Sequence, residues 1–229
     1  MIAAESHDNS HLIRNDNPFN SFAQDYDAWF EDEGRLIFSI EAYSLRELAT
    51  PSPSPKLEIG VGTGRFAEAI GIDCGIDPSA KALAIGKKEG INLIQAMGEK
   101  APFINRAFGT AVLITTLCFV GSGRQVLEEA GRVLRDEGKI LLGLILKDSP
   151  WGKLYENKKA QGHPVYQNAF FRSYDEVAEL LGNAGFRIDR VMSTLFQPPG
   201  EVKEFEYPRE GYQAGAGFLG ILAGKAEGN

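Results

Sequence analysis

The sequence predicts an α/β fold: a seven-stranded, mostly parallel sheet with helices on both faces and an antiparallel C-terminal hairpin. Three observations predict it. Short apolar runs alternate with segments of helical period from about residue 56 to residue 146, the pattern of parallel strands joined by crossover helices. The first of these runs ends in glycines at alternate positions, Gly60, Gly62 and Gly64. The last two runs, Phe186 to Phe196 and Tyr212 to Lys225, are joined by a stretch too polar and proline-containing for a crossover helix, so they should pair antiparallel.

The elements follow in chain order. Residues 1–17 are rich in Asn, Ser, Asp and His and are expected to be disordered. From Phe19 to Leu48 apolar residues recur at helical spacing (Phe22, Tyr26, Trp29 and Phe30, then Leu36, Ile37, Ile40, Tyr43, Leu45 and Leu48), with a break expected at Gly34. The prolines Pro51, Pro53 and Pro55 cannot continue a helix and form a stiff connector. Strands are expected at Lys56 to Ile59, Ile72 to Ile76, Ile91 to Gln95, Phe108 to Thr115 and Lys139 to Leu146. Helices are expected at Gly64 to Ile70, at Ala80 to Lys88 behind the N-cap Ser79, and over residues 123–135. In that last helix Val126, Leu127, Ala130, Val133 and Leu134 share one face. Asp136 to Gly138 reads as a turn, Trp151 to Gln161 as an inserted helix and Tyr174 to Asn183 as the last amphipathic helix. A single domain is expected over 18–229, with 18–50 as a helical cap and 147–172 as a lid over the substrate.

Composition narrows the function. The 229 residues carry a formal net charge of −7, which argues against a nucleic-acid partner, because phosphate binding needs a basic surface. Cys74 and Cys118 are the only cysteines and lie far apart. They read as small buried apolar residues in a reducing compartment, with no metal site. The N-terminus shows no signal peptide and no run is apolar enough to span a bilayer. A cytoplasmic protein with no membrane partner is expected.

The glycine turn points to a ligand. Glycine takes positive φ and lets a ligand approach the main chain. A strand turning into a helix behind such glycines opens a nucleotide-sized crevice. The dinucleotide fingerprint would place a third glycine where this chain has Arg65. Glu58, two residues before Gly60, would also repel a pyrophosphate. A cationic or zwitterionic nucleoside such as S-adenosylmethionine, which has no phosphate, would not be repelled.

The stretch Glu58 to Gly64 resembles the first motif of the class I S-adenosylmethionine-dependent methyltransferases. Gly75-Ile-Asp-Pro-Ser79 resembles the second motif of that family, and residues 95–103 the third, with Met97 where the family carries an adenine-binding aspartate. Arg132 to Leu142 resembles the last motif. Together these span residues 57 to about 146 and are most similar to the ubiquinone/menaquinone-biosynthesis-type branch, whose members methylate many small substrates. The resemblance implies a Rossmann-like sheet, S-adenosylmethionine as cofactor and S-adenosylhomocysteine as product.

The site residues follow from it. Gly60, Gly62 and Gly64 would hold the main chain against the methionine part and ribose, Glu58 the amino group, and Asp77 before Pro78 the ribose hydroxyls. Met97, Gly98 and Glu99 would border the adenine, and Thr115 and Thr116 the mouth of the crevice. Tyr26 either covers the cofactor or packs in the core. No Asn/Asp-Pro-Pro-Tyr or Pro-Cys signature of nucleobase methylation occurs at Thr115, so the acceptor is expected to be a small molecule. Its pocket is expected from Trp151, Tyr155, Tyr166, Phe170 and Phe171, with His163 as the candidate general base. Lys158 and Lys159 read as a solvated helix face. A non-catalytic S-adenosylmethionine-binding regulator and a nicotinamide-dependent oxidoreductase are the alternatives.

Overall fold

The computed structural model describes residues 18–86 and 90–226. The expected disordered segment 1–17 and the expected helical end at Lys87 and Lys88 lie outside the described residues. The chain runs α1 (Pro18–Trp29), α2 (Arg35–Ala49), β1 (Lys56–Ile59), α3 (Arg65–Ile70), β2 (Cys74–Asp77), α4 (Ala80–Ile85), β3 (Asn92–Gln95), β4 (Phe108–Ile114) and α5 (Gly123–Val133). It continues through β5 (Leu134–Ile145), α6 (Pro150–Ala160), a 3₁₀ turn (Tyr166–Asn168), α7 (Tyr174–Asn183), β6 (Phe186–Thr194), β7 (Arg209–Glu210) and β8 (Phe218–Lys225).

One sheet holds every strand, in the order β3-β2-β1-β4-β5-β8-β6-β7. The pairings from β3 to β5 are parallel; β8 pairs antiparallel with β5 and with β6. The chain winds outward from β1 to β3, then returns to place β4 on the other side of β1. Connections therefore diverge at the carboxyl ends of β1 and β4, and such a switch point leaves a crevice.

Burial explains why the central strands are apolar throughout. All seven residues of β4 are buried. Ala111 and Leu113 pack on one side with Val126, Leu127 and Leu181, while Val112 and Ile114 pack on the other with Ile40, Leu45 and Phe66. That alternation is the two-residue period of a strand. The apolar stripe of α5 (Val126, Leu127, Ala130 and Val133) is buried as the sequence predicts, but Leu134, expected on the same helix face, begins β5.

Further details differ from the sequence expectation. The sheet has eight strands, because Arg209 and Glu210 add a two-residue edge beside Met192 and Ser193, supported by the Arg190–Glu210 ion pair at 2.8 Å. The last strand starts at Phe218 instead of Tyr212. The expected turn at Asp136 to Gly138 is a bulge inside β5: Phe108 pairs with Leu134, but Thr110 already pairs with Lys139. The bulge keeps Leu134 buried while extruding Arg135, Asp136 and Glu137 into solvent.

Trp151 is a core residue. It is 4 % exposed and packs in the cluster that contains Met192, Leu195 and Phe218. Its Nε1–H donates to the Gln197 carbonyl at 3.0 Å. The ring lies so close to Gly217 that a Cβ there would stand 2.1 Å from it. Trp151→Ala should therefore lower the unfolding free energy by about 3–5 kcal/mol in urea denaturation. A loss below about 1 kcal/mol, the range of ordinary surface changes, would show that the ring anchors nothing.

Candidate active site

The switch point is built from main chain. After β1 the chain bends through Gly60, Gly62 and Gly64 at φ of 81°, 55° and 75°, a region that side chains resist. A Cβ on Gly60 would stand 2.3 Å from the Thr116 hydroxyl, whereas one on Gly62 would meet nothing within 4 Å. Gly60 thus closes the turn against β4, and Gly62 faces open space. The amides of Gly60 and Val61 donate to the Ile76 carbonyl at 2.8 and 3.0 Å. Asp77 fastens the bend: its Oδ2 accepts from the Gly62 amide at 2.9 Å and its Oδ1 from the Ser79 amide at 2.8 Å. Each oxygen keeps a further acceptor site.

Glu58 lies beside this turn. It is 2 % exposed, and its Oε2 has no hydrogen-bond partner among the described residues. Burial, then the neighbouring Asp77, pushes its carboxyl well above the usual range. Burial also raises Asp77, against the pull of its two amide partners. A buried acid left without a donor is costly, and a cationic group placed against Oε2 would relieve both the desolvation and the repulsion.

The crevice opens into a cavity of ≈ 390 Å³. Of the expected cofactor residues, Tyr26, Glu58, Gly60, Gly62, Asp77, Pro78, Met97, Gly98, Glu99, Thr115 and Thr116 all line it. Gly64 is not in that wall; it starts α3 in a left-handed conformation, its amide donating to the Val61 carbonyl at 2.9 Å. Thr115 is a non-glycine residue at φ 49°, backbone strain of the kind that gathers at functional sites.

Helix α1 roofs the cavity. Arg65, which stands where a dinucleotide fold wants glycine, binds Asp27 through Nε at 2.7 Å and Nη2 at 2.6 Å, and also Glu31. Asn20 accepts from the Ser79 hydroxyl at 2.7 Å. These contacts lay Tyr26 across the opening. Its phenol is held well above the usual range, chiefly by burial.

The residues of the expected lid divide. Tyr155, His163, Tyr166 and Phe171 reach the cavity. The rings of Tyr155 and Tyr166 lie 4.7 Å apart; burial raises both phenols, that of Tyr166 to about 12. His163, the expected general base, has its Nδ1 accepting from the Val165 amide at 3.3 Å. Trp151 does not line the cavity, because its ring belongs to the core. Phe170 also lies outside it, 58 % exposed and covered by the Arg172 guanidinium at 4.9 Å. Lys158 and Lys159 do not form a solvated face. Lys158 Nζ lies 5.4 Å and 5.7 Å from the ring centres of Tyr155 and Tyr166, and Lys159 Nζ donates to the Ala169 carbonyl at 2.6 Å.

Sequence reasoning missed Glu41 and Phe119, which also line the cavity, and it gave Cys118 only a buried structural role. Glu41 had a signal. It falls four residues after Ile37 and four before Leu45, on the buried stripe of α2, where a charge has no structural reason to be. Burial pushes its carboxyl up to about 8.

Comparison with known proteins agrees with this geometry. A family profile described as a methyltransferase domain matches residues 57–142. The chain is 41 % identical over 200 residues to an uncharacterized protein of Mycobacterium tuberculosis, covering 86 % of this chain and 70 % of that one. It is 40 % identical over 209 residues to an uncharacterized protein of Methanocaldococcus jannaschii, covering 91 % and 99 %. A crystal structure from Thermotoga maritima, described as a SAM-dependent methyltransferase and possible histamine N-methyltransferase, superposes with a TM-score of 0.84 at 33 % identity, covering 92 % of this chain and 98 % of that one.

The buried acids set a pH dependence. Unfolded glutamates titrate near ~4.3, and Glu41 and Glu58 are both raised above that in the fold. Between those values the folded chain binds more protons than the unfolded chain, so stability falls as pH rises. The melting temperature of the ligand-free protein should decline from about pH 5 to about pH 8. Glu41→Gln should flatten the decline. A melting temperature that rises over that range would contradict the assigned directions.

Proposed function

We propose, from the premise that this chain belongs to the class I S-adenosylmethionine-dependent methyltransferases, that the cavity is its active site and that the residues at the glycine turn hold the cofactor. The activity is S-adenosylmethionine-dependent methyl transfer to a small-molecule acceptor. One observation carries the placement: the unpartnered Oε2 of buried Glu58 beside the open face of Gly62. Glu58 takes the amino group of the cofactor, Asp77 the ribose hydroxyls, and Met97, Gly98 and Glu99 the adenine edge. Met97 offers its main chain and a polarizable side chain where an acidic acceptor would otherwise stand.

When bound, S-adenosylmethionine supplies an electrophilic methyl group on a sulfonium. The chain supplies position and dryness. Helix α1 and the segment 147–172 act as cap and lid, with Tyr26 and Phe171 excluding water. Approximation of two reactants in such a chamber supplies on the order of 7–11 kcal/mol in favourable systems, so the reaction asks little of any one side chain. The ubiquinone/menaquinone-biosynthesis-type branch is proposed from the resemblance of the motifs over residues 57–146, and a cytoplasmic location from the two free cysteines. The description of the Thermotoga relative makes a small nitrogen compound the first acceptor to try.

Isothermal titration tests the placement. S-adenosylmethionine and S-adenosylhomocysteine should bind with one site, and NAD should not. Asp77→Ala should weaken both sulfur ligands by roughly ten- to a hundredfold, the loss of hydrogen bonds to a charged group. Glu58→Gln should weaken them while making the stability of the ligand-free protein less dependent on pH, because it removes a buried titrating acid. Binding of NAD alone, or full affinity in Asp77→Ala, would overturn the placement.

A further inference from the structure

Beyond the residues assigned to the cofactor, the cavity wall carries a second buried acid. Glu41 is 6 % exposed on α2 and lines the cavity. Among the described residues it accepts no hydrogen bond and forms no ion pair; burial alone governs its carboxyl. Tyr26 from α1 and Tyr155 from α6 are the phenols that sense its charge. The two cations in the cavity wall are otherwise engaged. Arg65 is bound to Asp27 and Glu31, and Lys158 rests over the rings of Tyr155 and Tyr166.

The cavity that Glu41 lines suits one kind of molecule. Tyr26, Tyr155, Tyr166, Phe22, Phe119 and Phe171 line the same cavity. Aromatic faces attract a cation and bury an apolar body. A carboxylate among them gives the cation a counter-charge. An anionic acceptor would meet three buried acids, Glu41, Glu58 and Asp77, while Arg65 is already paired with Asp27 and Glu31 and Lys158 already lies over the rings of Tyr155 and Tyr166. A neutral acceptor would leave Glu41 buried and unpaired, at the cost that accompanies such groups.

We infer that Glu41 is the acceptor-binding residue for a small primary or secondary amine with an apolar or aromatic body, and that its carboxylate both holds the ammonium and takes its proton. The inference rests on the methyltransferase assignment above. The proton step balances within the site. An alkyl ammonium has no lone pair and cannot accept a methyl group. Transfer of one proton from nitrogen to a Glu41 oxygen leaves a neutral amine with its lone pair free and a neutral carboxylic acid in a pocket that disfavours charge. Burial has already brought Glu41 to about 8, within reach of an alkyl amine near ~10.4, so the transfer is not steeply uphill.

The test separates this claim from the cofactor assignment. Binding is measured by titration calorimetry to the protein saturated with S-adenosylhomocysteine, so no turnover is needed. The probes are histamine, tyramine and tryptamine, each against the neutral alcohol that replaces its amino group. At least one amine should bind about tenfold or more tighter than its alcohol. Glu41→Gln should abolish that preference while leaving S-adenosylhomocysteine affinity within about twofold, which also shows that the variant is folded. Methyl incorporation from labelled S-adenosylmethionine into the same amine should fall in parallel. If wild type binds S-adenosylhomocysteine but binds no amine in preference to its alcohol, or if Glu41→Gln keeps the preference, the inference is wrong and the cofactor assignment stands. If wild type does not bind S-adenosylhomocysteine, the cofactor assignment fails first. The wild-type comparison needs no variant, so misfolding of Glu41→Gln would not shield the inference.

Discussion

A carboxylate with nothing to hold, set against a bend that only glycine makes comfortably, is the constraint around which this molecule is arranged. Glu58 can be buried at the end of β1 because β2 and β4 flank that strand on both sides. The bend at Gly60 lets Thr116 close in from β4, and the bend at Gly62 leaves the main chain bare. Asp77, one strand over, ties the bend through the Gly62 amide and is itself held by the Ser79 amide. The sheet order makes this possible. Without the return from β3 to β4 there would be no crevice above β1, and the acids would face a crossover helix.

The roof follows from the same place. Arg65 removes the chain from the dinucleotide-binding pattern, and its guanidinium then serves another end. It binds Asp27 and Glu31 and so joins the start of α3, directly behind the glycine turn, to α1 overhead. Arg65 is only partly exposed and its contacts with Asp27 are paired and short, the geometry in which an arginine–carboxylate pair contributes more than an isolated surface bridge. Floor and roof are thereby coupled through one residue, and Tyr26 gains its position over the cavity as a consequence.

Much of this is legible in the residues. The strands are legible because burial on both faces forces continuous apolar runs, as at Phe108 to Ile114. The Gly34 break, the α7 limits and the stripe on α5 follow from local signals that tertiary packing did not override. The cavity wall at the glycine turn and Asp77 is legible because both stand at the ends of strands that the apolar runs mark. The acceptor side is not. Trp151 and Phe170 look like pocket aromatics, yet the core claims the first and Arg172 covers the second. Nothing local distinguishes them from Tyr155 and Phe171, whose rings stack 5.9 Å apart. Lys158 looks solvated until the fold sets two phenol rings beneath it. The Asp136 to Gly138 bulge reads as a turn because its polar residues are extruded, and only the pairing with β4 reveals the strand.

The most direct measurement is a crystal structure of the protein with S-adenosylhomocysteine. The ligand ammonium should lie within hydrogen-bond distance of Glu58 Oε2, its ribose hydroxyls should meet Asp77, and Tyr26 should close over it. A ligand bound elsewhere, or a Glu58 carboxylate turned onto a protein donor with the ligand amino group left to solvent, would contradict the central role of that buried acid.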